Sequence, residues 1–186
     1  MNSVAPRIRA AGVVLAAGAG RRFGRPKADV RFEGERLVDR AVRLLRDGGC
    51  ERVVVVSGAV ALEVDGAEVV HNPGWVTGMG SSLTVGLVAV REPAAVVVPV
   101  DMPWLGAGAV RRLLTCGTDL AVATYDGRPG HPVLLGSRYF AAVSAEAVGD
   151  IGARRFLAAN PDLVQRVPCE DTGSPADIDT PRDLPG

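Results

Sequence analysis

A central, mostly parallel β-sheet with helices on both faces, in one α/β domain spanning residues 1–186, is the fold the sequence predicts. Short, wholly apolar runs such as 11–17 and 94–100 have the length and the lack of alternation of strands buried on both faces. Stretches of helical period separate these runs, the pattern of a parallel sheet with crossover helices. A chain of 186 residues, 47% hydrophobic, is long enough to bury one core without a disulfide framework or a structural metal.

Ala11 to Ala17 reads as a buried strand that stops at Gly18 and feeds a loop. Arg36 to Arg46 places Leu37, Val38, Ala41, Leu44 and Leu45 on one helical face, and Gly48 and Gly49 end it. Arg52 to Ser57 and Ala67 to Val70 are strand-like. Met79 to Val90 predicts a helix carrying Leu83, Leu87 and Val90 inward, and Ala94 to Val100 a strand that ends at Asp101. Leu120 to Thr124 and Pro132 to Leu135 predict strands around a glycine-rich turn at Asp126 to Gly130. Helices follow at Ser137 to Ala145 and Ile151 to Ala159, then a strand near Leu163 to Val167 and an acidic, proline-punctuated tail. No repeat or linker divides the chain.

Acidic and basic residues number 21 each, so no global field exists to hold a nucleic acid or an anionic membrane. Any anion binding is local. Cys50, Cys116 and Cys169 are odd in number and far apart, which indicates reduced thiols rather than a disulfide framework or a zinc site. No apolar stretch approaches the ~20 residues of a membrane span, and a soluble cytoplasmic protein is expected.

Of the 21 basic residues, 20 are arginine, and the single lysine, Lys27, closes the stretch LAAGAGRRFGRPK from Leu15 to Lys27. A lysine is a compact, rotatable point charge suited to slipping between phosphate oxygens. The Rossmann pattern GxGxxG fails here because Phe23 stands where the third glycine belongs, and no GK pair exists for a P-loop. The missing glycine and the lack of a clear acidic ribose reader also argue against an NAD-dependent oxidoreductase. Gly18, Gly20, Gly24 and Pro26 make a poor helix, so the segment should stay irregular and offer backbone N–H groups as an anion nest beneath Arg22 and Lys27. Ligands of open α/β sheets gather at the carboxyl ends of strands, where this loop and Asp101 should meet.

The stretch resembles the LAAGxGxRxGxxK signature of nucleotidyltransferases with a Rossmann-like fold, and every specified position matches. The resemblance implies that Leu15, Ala16, Ala17, Gly18, Gly20 and Gly24 wrap a nucleoside triphosphate whose phosphates Arg22 and Lys27 neutralise. It implies that Asp101, in VPVDMP, holds a catalytic Mg²⁺, with Asp179 or Asp177 as second ligand and Asp179 the preferred one. Their alternative role is capping of a final helical turn at Thr180 and Pro181. Residues 8–104 would then form a nucleotide-binding half and 105–186 an acceptor-binding half.

NPGWVTGMGSSL from Asn72, GRPGHPVLL from Gly127, GDIGAR from Gly149 and DIDTPRDL from Asp177 narrow the resemblance to molybdenum cofactor cytidylyltransferases. That likeness implies transfer of CMP from CTP to the terminal phosphate of molybdenum-molybdopterin with release of pyrophosphate, Ala17 favouring CTP over GTP. A molybdenum hydroxylase apoenzyme is the implied protein partner. Gly80, Ser81 and Ser82 stand at the start of the helix predicted from Met79, where they bind ribose, base or acceptor phosphate or simply cap it. His131 is either an acceptor contact or a hydrogen-bonded structural residue, and Asp150 and Arg154 are candidates for the pterin-side phosphate. Met102, after Asp101, replaces a common glutamine, and Ala28 and Asp29 replace common leucines. These departures leave room for a sugar phosphate or phosphoalcohol acceptor, or for a non-catalytic nucleotide- or pterin-binding accessory protein.

Overall fold

The computed structural model describes residues 7–184. Four strands, β1 (Ala10–Leu15), β4 (Val53–Ser57), β5 (Glu68–His71) and β6 (Ala94–Pro99), run parallel with β1 between β4 and β6. A separate ribbon of β2 (Arg31–Phe32) and β3 (Glu35–Arg36) lies between them in sequence. Beyond β6 the sheet continues through β8 (Arg128–Gly136), antiparallel to both β6 and β7 (Leu120–Tyr125), and ends with β9 (Gln165–Pro168) parallel to β7. The order is β5-β4-β1-β6-β8-β7-β9, mostly parallel as expected, with β8 the exception.

The apolar runs fail to alternate because both faces are covered. Val14 of β1 packs with α1 (Leu37–Gly48) and α3 (Ala107–Leu114), while Val13 and Leu15 pack with α2 (Met79–Ala89), α4 (Phe140–Glu146) and α5 (Arg154–Ala159). Helix α1 buries the expected stripe of Leu37, Val38, Ala41, Leu44 and Leu45, and left-handed Gly49 terminates it by donating to the carbonyls of Leu45 and Arg46. Among the described residues no helix is long and apolar enough to cross a membrane. The three cysteines are free thiols, and burial pushes Cys50 up to about 12.

Several local readings change. The predicted turn at 126–130 contracts to Asp126 and Gly127, and Arg128 to Gly130 join a strand that runs to Gly136. Helix α3, which buries Ala109, Val110, Leu113 and Leu114, has no counterpart in the sequence reading: it is 8 residues long, contains Gly108 and has no side-chain cap. The helix expected over 151–159 breaks at Gly152, leaving a 3₁₀ turn at Gly149–Ile151 before α5. The strand expected near 163–167 is shifted to Gln165–Pro168.

The tail crosses back over the sheet edge without regular structure from 173 to 179. Its anchor is Ile178, fully buried, whose N–H donates to the carbonyl of Asp101 at 2.8 Å. Because side chains alternate along an extended chain, a buried Ile178 turns Asp177 and Asp179 outward together. Ile178→Ala removes a packed core side chain at a cost of about 2–5 kcal/mol, to be read as a lower urea midpoint.

Candidate active site

Sheet register brings the glycine loop and Asp101 together. Leu15 pairs with Pro99 on neighbouring parallel strands, and Val100 N–H donates to Leu15 O at 3.1 Å. The chain therefore leaves β1 into the loop beside the point where it leaves β6 towards Asp101. A 3₁₀ turn over Lys27–Asp29 closes the loop.

Ala16 and Ala17 are buried and fix the loop's entry: Ala16 N–H donates to Val56 O at 3.0 Å, and Ala17 O accepts from Ala59 N–H at 3.0 Å. Phe23, Ala28 and Val30 are buried and pin its far side. Phe23, which breaks the GxGxxG spacing, is thus an anchor of the loop, a role its apolar character amid glycines and arginines signals. Gly20 has φ +62, and a Cβ there would lie 1.9 Å from Arg25 O, whereas Gly18 faces open space. Gly20→Ala is expected to destabilise the fold by more than about 1 kcal/mol. Gly18→Ala should stay within about 0.5 kcal/mol in the same urea titration.

The lysine sits between two carboxylates. Lys27 Nζ donates to Asp101 Oδ2 at 2.8 Å and to Asp179 Oδ1 at 3.1 Å, and Arg22 donates to Asp179 Oδ2 at 3.0 Å. Lys27 is largely buried, its side chain 13% exposed, while Arg22 is 79% exposed. Burial lowers the Lys27 pKa, but the hydrogen bonds and charges of Asp101 and Asp179 outweigh it and leave the ammonium above its ordinary value. The hydrogen bond from Lys27, joined by the charges of Lys27 and Arg22, outweighs the opposing effect of burial and holds Asp179 below the usual carboxylate range.

Asp101, Asp177 and Asp179 each offer an oxygen, all within 4.8 Å of one another. Two oxygens opposite each other on Mg²⁺ lie about 4.2 Å apart, from its bond length of about 2.1 Å, so a modest inward movement suits this all-oxygen set to a hard divalent cation. Both tail aspartates reach the site. The cap of the final 3₁₀ turn is made instead by Thr180 and Asp183, with Asp183 Oδ2 accepting from Thr180 N–H at 2.7 Å.

A cavity of about 770 Å³ opens beside Asp101 and Asp177 and runs under α5. Leu15, Leu83, Val97, Val133 and Leu157 form much of its wall, and His131, Asp150 and Arg154 add polar groups. Asp150 also accepts a hydrogen bond from Met79 N–H at 3.3 Å. Gly80, Ser81 and Ser82 lie elsewhere. A Cβ on Gly80 would lie 2.1 Å from Ala147 O, so its smallness lets α2 approach that segment. Ser81 Oγ and Ser82 Oγ accept from Asn72 Nδ2 at 2.9 and 3.0 Å. Asn72, buried and also accepting from Gly74 N–H at 2.9 Å, is a clamp on the start of α2 that the sequence reading did not single out. The NP dipeptide was the available signal, since asparagine before proline marks a turn.

His131 is half-buried and lines the cavity wall. Loss of hydration, aided by the Arg154 charge and opposed by Asp101, lowers its pKa to about 4. The unfolded imidazole titrates near 6.5. The folded value is the lower one, so stability is whole above about pH 6.5 and falls as pH drops towards about 4, by at most about 3 kcal/mol. Thermal melts at pH 7 and 4.5 should show a smaller drop for His131→Asn than for the unsubstituted protein.

A glycine loop ending in a buried lysine, a carboxylate cluster and an adjoining cavity, all on the strand-end edge of this sheet, define a nucleotidyltransferase-type domain. The family model described as the MobA-like NTP transferase domain matches residues 12–165, and the chain belongs to that family. It is 38% identical over 186 residues to a protein of Paenarthrobacter nicotinovorans named nicotine blue oxidoreductase, covering 91% of each chain. It is 25% identical over 131 residues to the molybdenum cofactor cytidylyltransferase of Escherichia coli strain K12, covering 66% of this chain and 68% of that one. The solved structure of Rv0371c from Mycobacterium tuberculosis H37Rv superposes with a TM-score of 0.78 at 26% identity, over 94% of this chain and 95% of that one. A manganese complex of Rv0371c gives a TM-score of 0.71 at 25% identity, over 88% of each chain.

Proposed function

We propose that this chain transfers CMP from CTP to the terminal phosphate of molybdenum-molybdopterin, with Mg²⁺ as the metal. The observation that carries this reading is Lys27, at the end of the nucleotide loop, hydrogen-bonded both to Asp179 and to Asp101, which lines the cavity. An acceptor phosphate oxygen attacks the α-phosphorus in line; the bond from that phosphorus to the β-phosphate bridging oxygen breaks, and pyrophosphate leaves. The loop's N–H groups and Arg22 hold the triphosphate, and Lys27 stabilises charge growing on the transferred and departing groups. Asp101, Asp177 and Asp179 would hold the cation, which supplies neutralising charge to the phosphate oxygens. No side-chain nucleophile is needed, because the task is to position two polyanions.

Pyrophosphate release measured with each of the four NTPs against molybdopterin, sugar phosphates and phosphoalcohols tests this. The reading expects CTP with the molybdenum-loaded pterin to be the productive pair. Absence of release with every pair would overturn it. A second reading, a nucleotide- or pterin-binding accessory protein serving a molybdenum hydroxylase, draws on the relative that matches 91% of the chain and is named an oxidoreductase. Tight CTP or pterin binding without product, in the presence of Mg²⁺, would favour it.

A further inference from the structure

We infer that Lys27 stands in for the divalent cation when no nucleotide is bound, so that cation and nucleoside triphosphate load together rather than independently. This rests on the reading of Asp101, Asp177 and Asp179 as the cation site. The ammonium already engages Asp101 Oδ2 and Asp179 Oδ1, and Arg22 engages the other Asp179 oxygen. Three of the four oxygens on those two carboxylates are therefore occupied by positive groups. A divalent ion arriving alone must take oxygens from Lys27 while facing its charge at close range, a repulsion that the partial cover of Lys27 and Asp101 leaves only partly screened.

The triphosphate changes that balance. Lys27 is the first residue of the turn that closes the loop, and the backbone beyond it is held by buried Ala28 and Val30. Its flexible four-carbon stem lets the ammonium shift to a phosphate oxygen while the backbone stays in place. Asp101 and Asp179 are then free to close on the ion. Nucleotide thus raises cation affinity, and by reciprocity the cation raises nucleotide affinity by the same factor. The consequence has an unusual sign: a neutral side chain at 27 weakens nucleotide binding but strengthens cation binding to the free protein.

Titration with Mn²⁺, followed by water-proton relaxation enhancement to separate protein-bound ion from the Mn²⁺–CTP complex, tests this on the full chain. The unsubstituted protein should bind Mn²⁺ at least about tenfold more tightly with CTP present, within the usual range of coupling between sites. Lys27→Met, with Lys27→Ala as a second variant, should bind Mn²⁺ alone about tenfold more tightly than the unsubstituted protein and gain little from CTP. Circular dichroism verifies that each variant is folded. If both variants bind Mn²⁺ alone no more tightly than the unsubstituted protein, the inference fails while the cation site stands. If no form binds Mn²⁺ even with CTP, the cation-site reading fails and takes the inference with it.

Discussion

If the chain uses CTP as proposed, Lys27→Met is expected to lower kcat/KM for pyrophosphate release by about 10²–10³-fold, the loss typical of removing one preorganised charge stabiliser. Methionine keeps an unbranched stem of similar length and removes the charge that bridges Asp101 and Asp179. Lys27→Arg does not restore activity. The space between those carboxylates holds a compact ammonium, 13% exposed, and a planar guanidinium fork cannot enter it without moving the tail. Steady-state kinetics beside thermal melts checks both variants, and unchanged turnover in folded Lys27→Met would remove this residue from the reaction. The same substitution is expected to tighten Mn²⁺ binding in the free protein, so that catalysis and cation affinity would move in opposite directions.

Asp101→Asn should be at least as damaging, about 10³-fold in kcat/KM, because a cation site contributes several kcal/mol and each 1.36 kcal/mol is tenfold. The amide keeps the shape of the carboxylate but removes its charge and replaces one acceptor oxygen with an NH2 donor, which cannot ligate a cation. Asp179 still holds Lys27, and the buried strand behind Asp101 is untouched, so the fold should survive. Loss of Mn²⁺ binding, with CTP affinity retained when measured without metal but no longer raised by Mn²⁺, separates this variant from Lys27→Met, which loses nucleotide affinity even without metal. Retention of full activity by folded Asp101→Asn would sink the assignment of this carboxylate to the reaction.

Much of this architecture could be read along the chain because burial leaves local marks. The wholly apolar runs 11–17 and 94–100 mark strands covered on both faces, and the stripe from Leu37 to Leu45 marks the buried side of α1. The conformation of the glycine loop was equally legible, since Gly20 sits at positive φ where other residues are strained. Helix α3 escaped notice because its short span carries glycine and no cap, so packing against α1 rather than local preference sustains it.

What the chain's own order could not reveal was which distant groups would meet. Asp177 and Asp179 were open alternatives until buried Ile178 and its bond to Asp101 turned both outward at the same mouth. That Ser81 and Ser82 would accept hydrogen bonds from Asn72 was likewise invisible along the chain. Sequence patterns thus determined which segments are buried and where the backbone must bend, both properties of neighbouring residues. The tertiary structure decided that Lys27, 74 positions from Asp101 and 152 from Asp179, lies within hydrogen-bond reach of each, because strand order and a single buried side chain bring those segments together.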